Sequence, residues 1–244
     1  VPAGAAVLAL ALLLPQVRRL LPRLTNALLL GTVAAMLATL FLDQGLDGVH
    51  RWLRVGPMRL HIGLLLIPAV LTIHARGDSG IMAGLALMAC AQLMARQPDL
   101  GTALAMTMAL LPTALTRRDR GDWAALALAA VTSAFFYDGT DPLQPVAMVE
   151  HVLTDSWQWG VWTGPLALVG VLIVPAALLW RARIDAARRL PAFTLIGLWL
   201  GLLLASLIGH YPVPLLGYGA SAVIGWGLAL AWMEAPAVDA KPGI

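Results

Sequence analysis

Eleven charged side chains lie in three segments between hydrophobic runs, and their types suit one chemistry. They are Arg51, Arg54, Arg59 and Arg96, with Asp43, Asp47, Asp99, Asp138, Asp141, Glu150 and Asp155. A guanidinium offers forked donors that fit phosphate oxygens. A carboxylate within about 3 Å of a hydroxyl can take its proton. Acidic groups near a membrane that face a protein interior tend to be functional. Together the two sets suit a lipid-linked phosphate or pyrophosphate held in a cavity.

Each group also has a plainer reading. Arg51, Trp52 and Arg54 equally suit the headgroup level of a membrane, where tryptophan is enriched and arginine snorkels. Asp99 stands between Pro98 and Leu100-Gly101-Thr102, and equally suits the N-cap of the apolar run that follows. Glu150 and Asp155 equally suit a solvated loop. Trp157, Trp159 and Trp162 suit an aromatic belt.

Other chemistries find little footing. The five histidines (His50, His61, His74, His151 and His210) form no HExxH and no Cys/His pairing, which argues against zinc. No Walker A or GxGxxG stretch is present. Cys90 is the single cysteine and closes no intrachain disulfide. The pairs Gly160/Gly164 and Gly197/Gly201 fit close helix packing better than a ligand site. The pI of 9.6 does not point to nucleic acid, because the arginines are scattered between apolar runs instead of forming a stripe.

The elements that must position these groups are set by composition. Of 244 residues, 60% are hydrophobic and 12% charged, about half the roughly 25% charge of a soluble domain. With a mean hydropathy of +0.82, the chain reads as a polytopic membrane protein. Nine apolar segments are expected at about 2–15, 27–42, 60–75, 80–95, 100–116, 123–137, 157–180, 190–209 and 212–233. Membrane-embedded backbone must satisfy its own hydrogen bonds, as helices or a closed barrel. Runs such as LALMACAQLMA do not alternate apolar with polar, so helices are expected. The expected fold is all-α: one transmembrane helix bundle over 1–233, with a short cytoplasmic tail at 234–244.

Alternating the connecting loops across a membrane divides the 16 Lys and Arg unequally. One side receives Arg18, Arg19, Arg23, Arg76, Arg117, Arg118, Arg120, Arg181, Arg183, Arg188, Arg189 and Lys241. The other receives only Arg51, Arg54, Arg59 and Arg96. The richer side is expected to be cytoplasmic. That puts the C-terminus inside, the N-terminus outside and the eleven charged groups outside. An odd number of spans with an outside N-terminus suggests either a further helix before Val1 or a non-standard start.

Four stretches, in order, resemble the FtsW/RodA/SpoVE proteins, the SEDS family. GVHRWLRVGPMRL (48–60) resembles the family's RWI-x-LG loop. RQPDLGTAL (96–104) contains the QPDLGT motif letter for letter. VEHVLTDSWQWG (149–160) is similar to its long outer loop, which ends in a Thr-Asp pair before a span. VPLLGYGAS (213–221) is similar to PLVSYGGS near its last helix. The family has ten spans, and this chain resembles it from the second onward.

The resemblance implies a multi-pass protein of a bacterial cytoplasmic membrane that polymerises lipid II, a disaccharide-pentapeptide on undecaprenyl pyrophosphate, into glycan during elongation or division. It implies a class B penicillin-binding protein, the transpeptidase, as partner, besides membrane lipids. Asp155 falls at the family's essential loop aspartate and is the candidate base. Arg51, Trp52, Gln97, Asp99, Tyr218 and Ser221 fall on motif positions expected to bind substrate. Arg51 and Arg96, or a divalent cation such as Mg, would neutralise the leaving pyrophosphate. The chain departs from the pattern at three places. LHIG (60–63) replaces a stretch that carries a glutamate, Thr163 and Gly164 stand near paired glutamates, and the loop before Asp155 is short. A catalytically silent partner or regulator of cell-wall synthesis is therefore the second expectation, and a transporter of lipid-linked substrate the third.

Overall fold

The computed structural model describes residues 2–42, 45–135, 143, 149–209, 211–214 and 219–236. These are helical apart from one small hairpin, an isolated bridge and connecting turns. Each of the nine expected apolar segments carries a helix: α1 (Pro2–Leu12), α3 (Thr25–Leu42), α4 (Ile62–Arg76), α5 (Ile81–Arg96), α6 (Leu100–Arg117), α7 (Arg120–Phe135), α9 (Thr163–Ile184), α10 (Arg189–Ile208) and α11 (Ala220–Met233). Two further helices, α2 (Pro15–Leu20) and α8 (Val152–Trp159), lie between them. Three helical stretches, Pro15–Leu42, Thr163–Ile184 and Ala186–Ile208, are long and apolar enough to cross a membrane. Four shorter ones, Ala3–Leu12, Ile62–Arg76, Ile81–Arg96 and Ala220–Met233, are apolar as well.

Three boundaries differ from expectation, each for a local reason. The segment expected to start at 157 is broken at Gly160, whose backbone is extended, so Trp157 and Trp159 lie on α8 and α9 begins at Thr163. Gly160 is thus outside any helix, and Gly164 packs against the Trp157 ring of α8 instead of a neighbouring helix backbone. The segment expected from 212 becomes helical only at Ala220, after Pro212, Pro214 and Gly219; proline has no N–H to give to a helix. The loop expected at 43–59 contains strands β1 (Trp52–Val55) and β2 (Met58–His61), paired antiparallel with Val55 opposite Met58. Gly56 turns the chain there with φ +59°, the conformation that favours glycine at the first central position of a two-residue hairpin turn.

The core is built by α4, α5, α6, α10 and α11. Every residue from Ile67 to Ala75 of α4 is buried. Small residues let the helix backbones approach. A Cβ on Gly197 would meet the Met108 carbonyl of α6, and one on Gly201 would meet the Ala105 Cα. Gly225 of α11 faces the Leu64 carbonyl of α4 in the same way. Trp199 fills the centre, 1% exposed, and donates its indole N–H to the Val171 carbonyl of α9 at 3.0 Å. By contrast α9 leaves Leu166, Val169, Leu172, Ile173 and Trp180 exposed, a face with the composition of a lipid-facing helix.

The two ends of the bundle carry opposite chemistries. At one end arginines close helix C-termini, where orphan carbonyls and the helix dipole favour a cation. Arg76 donates to the carbonyls of Met233, Ala235 and Pro236 at 3.2, 3.0 and 3.0 Å. Arg117 donates to those of His74 and Ala75 at 2.8 and 2.6 Å. Glu234, just past α11, receives Arg181 at 2.8 Å, Arg188 at 3.0 Å and Arg18 at 3.9 Å. His74 of α4 faces the Asp122 carboxylate of α7 at 2.7 Å. The other end, where α4, α6 and α11 begin and α10 finishes, holds a cavity.

Candidate functional site

The cavity has a volume of about 530 Å³, within the range of small-molecule sites. Its wall is drawn from five places along the chain. The 45–61 segment contributes Asp47, Arg51, Trp52, Arg59 and His61; the start of α6 contributes Asp99, Gly101 and Thr102. Glu150 and Tyr211 come from the loops before α8 and after α10, and Ser221 from the start of α11. The four stretches singled out in the sequence therefore meet in one place.

Asp99 is the hinge of that place. It is 1% exposed and caps α6, its Oδ1 accepting the Thr102 N–H at 3.1 Å. The same oxygen lies 4.0 Å from Arg51 Nε, and Oδ2 lies 3.7 Å from His61 Nε2. A buried carboxylate needs such compensation, since stripping its water is costly. Arg51 is held in turn: its guanidinium donates from Nε to the Pro98 carbonyl at 2.9 Å and lies 5.4 Å from the centre of the Tyr211 ring, a cation–π distance. His61 caps α4, its Nδ1 accepting the Leu64 N–H at 3.2 Å, while its own backbone N–H donates to Ser221 Oγ at 2.9 Å. With Nδ1 accepting, the neutral ring carries its proton on Nε2, the nitrogen that faces Asp99. Trp52 meets the His61 ring edge-on, with centroids 5.5 Å apart.

Small residues of the six-letter motif have a steric reason. A Cβ on Gly101 would run into the Tyr211 ring. Thr102 fills the space over Gly63, where a Cβ would meet its side chain at 3.1 Å. Gly101 thus makes room for the Tyr211 ring, and Gly63 for Thr102 and the Asp99 carboxylate.

Of the residues expected to bind substrate, Arg51, Trp52, Asp99 and Ser221 line this cavity. Gln97 and Arg96 do not. Gln97 is 1% exposed and donates its side-chain amide to the Met36 carbonyl at 3.0 Å and to Thr39 Oγ1 at 2.7 Å, tying α5 to α3. Arg96 is exposed at the end of α5. Tyr218 lies outside the described residues, as do Asp43, Asp138, Asp141 and His210. Asp155 sits in the first turn of α8 with its Oδ1 3.3 Å from Thr154 Oγ1, and does not line the cavity. Next to the main cavity is a smaller one of about 230 Å³, whose wall includes Glu150, His151 and Thr154.

Sequence reasoning had no signal for Tyr211. LHIG was expected to leave this part of the cavity without a polar group, but its His61 ring lines the wall with Nε2 3.7 Å from Asp99 Oδ2. Among the described residues, no group of three His, Cys, Asp or Glu side chains could hold a metal ion. Arg51 and Arg59 are the cations on the wall. Comparison with protein-family models, with curated proteins and with solved structures finds no match to this chain.

Proposed function

We propose that the chain is a SEDS-like membrane glycosyltransferase whose cavity receives the head of lipid II and which polymerises it into peptidoglycan strands. The observation that carries the reading is the convergence of Arg51, Arg59, His61, Asp99 and Ser221 on one cavity at one end of an apolar helical bundle. The nine apolar helices then cross the cytoplasmic membrane of a bacterium, with the cavity outside and the C-terminal side of α11 inside. The arginine-rich end opposite the cavity supports that orientation. A cavity with two arginines on its wall, at one end of an apolar bundle, suits a substrate with an anionic head and a long apolar tail. Arg59 on the hairpin and Arg51 beneath it supply positive charge for the pyrophosphate, which must leave with a full negative charge as the sugar is transferred. A class B penicillin-binding protein would then cross-link the product.

The test is polymerisation of labelled lipid II by the purified chain together with its cognate transpeptidase partner. Wild-type protein should yield glycan. Arg59→Glu, which reverses an exposed charge at the cavity wall without touching the core, should lower the rate at least tenfold with an unchanged melting temperature. A second reading, a silent partner of cell-wall synthesis, is favoured by one observation: Asp155, the base that the resemblance implies, is off the cavity wall. Well-folded wild-type protein that makes no glycan with its partner present would decide for that second reading.

A further inference from the structure

The glycosyltransferase reading requires two substrates, one giving up its pyrophosphate and one offering a hydroxyl, and a proton acceptor where they meet. Glu150 occupies such a place. It lines both the 530 Å³ cavity and the 230 Å³ one. Its backbone is held there: the carbonyl of Val149 accepts the Val213 N–H at 3.3 Å, which ties the start of this loop to the segment after α10. The smaller cavity is walled by Leu153, Ile208 and Val213, with the hydroxyls of Thr154 and Ser206. Its size and its mix of apolar wall and hydroxyls suit a single sugar ring.

The other carboxylates near the site are placed differently with respect to the two cavities. Asp99 is 1% exposed and committed to the N-cap of α6 and to Arg51 and His61. Asp47 is exposed on the turn of the Leu46–Val49 bridge, at the rim. Asp155 lines neither cavity.

We propose that Glu150 is the general base of the transfer reaction, acting on the hydroxyl of an acceptor sugar seated in the smaller cavity. This rests on the glycosyltransferase reading above. The acceptor oxygen attacks the anomeric carbon of the donor and forms the new C–O bond. The bond from that carbon to the pyrophosphate oxygen breaks, and its electron pair leaves with the pyrophosphate. The hydroxyl proton passes to the Glu150 carboxylate and from there to solvent.

The experiment compares Glu150→Gln, Glu150→Asp and Asp155→Asn in the full chain with its transpeptidase partner, using labelled lipid II. A general base contributes about 10²–10⁴ in rate. Glu150→Gln should therefore lose at least a hundredfold in turnover, while its melting temperature and its binding of lipid II stay at the wild-type level. Glu150→Asp should recover part of the rate. Asp155→Asn should lose at least tenfold less than Glu150→Gln. An active wild type with Glu150→Gln above one third of its rate, or with the larger loss in Asp155→Asn, overturns the role of Glu150 alone. Wild-type protein that binds lipid II and makes no glycan overturns the glycosyltransferase reading, and this role with it.

Discussion

Asp99 and Glu234 are both carboxylates among arginines at helix ends, yet their settings differ in a way that can be measured. Asp99 caps a helix start, where the dipole favours negative charge. Glu234 lies beyond a helix end, where the dipole does not help it, and depends on three arginines instead. Burial alone would raise its carboxyl, but the hydrogen bond from Arg181 and the charges of Arg188, Arg181 and Arg18 outweigh that and hold it below the usual carboxylate range. A lowered native value means that the unfolded chain binds the proton first as pH falls. The stabilisation is complete above the ordinary glutamate value of about 4.3 and is lost as pH drops through the lower native one. Melting temperature should therefore fall below pH 4.3 more steeply in wild type than in Glu234→Gln, and an equal slope in the two would remove Glu234 as the cause. At this scale the sequence was informative about residue type and less so about place. Asp99 was legible both as a cap and as a polar group for a cavity, and it is both. Gln97 sits in the same six letters but points into the α3–α5 contact, because it closes α5 while Asp99 opens α6 on the far side of the Pro98 turn, and motif spelling does not record direction. Tyr211 was illegible because its partner, Gly101, is distant in sequence.

Helices are where the sequence was most informative, and the reason is physical. Nine uninterrupted apolar runs leave the backbone one economical way to satisfy itself, so the position of each helix could be read to within a few residues at most ends. What could not be read was where proline, glycine and hairpin turns would stop a helix: at Gly160, before Ala220 and around Gly56. Packing was legible only where two small residues share a face. Gly197 and Gly201 do, since both lie against α6, whereas Gly160 and Gly164 match the same spelling without forming a helix pair. This gives a test of the α6–α10 contact. Gly201→Leu places a side chain into the Ala105 backbone, a clash that rotamer changes cannot relieve. Overpacking of this kind costs about 3 kcal/mol, and the variant should melt well below wild type in detergent. Gly4→Leu, on α1 with no atom within 4 Å of the added Cβ, should melt within a degree or two of wild type. Equal melting of the two variants would mean that α6 and α10 do not touch at Gly201.

At the scale of the whole molecule the question is direction: which end faces which compartment. The cavity end carries Asp47, Asp99 and Glu150 with Arg51 and Arg59. The other end gathers Arg18, Arg76, Arg117, Arg181 and Arg188, and several of these close helix C-termini. In the proposed orientation the positive charge that closes the fold at this end and the positive charge that would orient it in a membrane are the same residues. An arginine that closes α4 or α11 is fixed at that end by its hydrogen bonds, and the proposed orientation puts that end on the cytoplasmic side. Two single cysteines in a Cys90→Ala background read this directly. Val55 is 54% exposed at the hairpin turn of the cavity end, and Ala187 is exposed in the turn between α9 and α10 at the other. Neither carries a charge, so the substitutions leave the charge balance intact. In intact cells a membrane-impermeant thiol reagent should label Val55→Cys and spare Ala187→Cys, and permeabilised cells should label both. Labelling of Ala187→Cys alone in intact cells would invert the orientation and remove an external lipid-linked sugar as the substrate. Equal labelling of both would mean that the two ends are not separated by a bilayer, and the membrane-spanning arrangement would fall with the orientation.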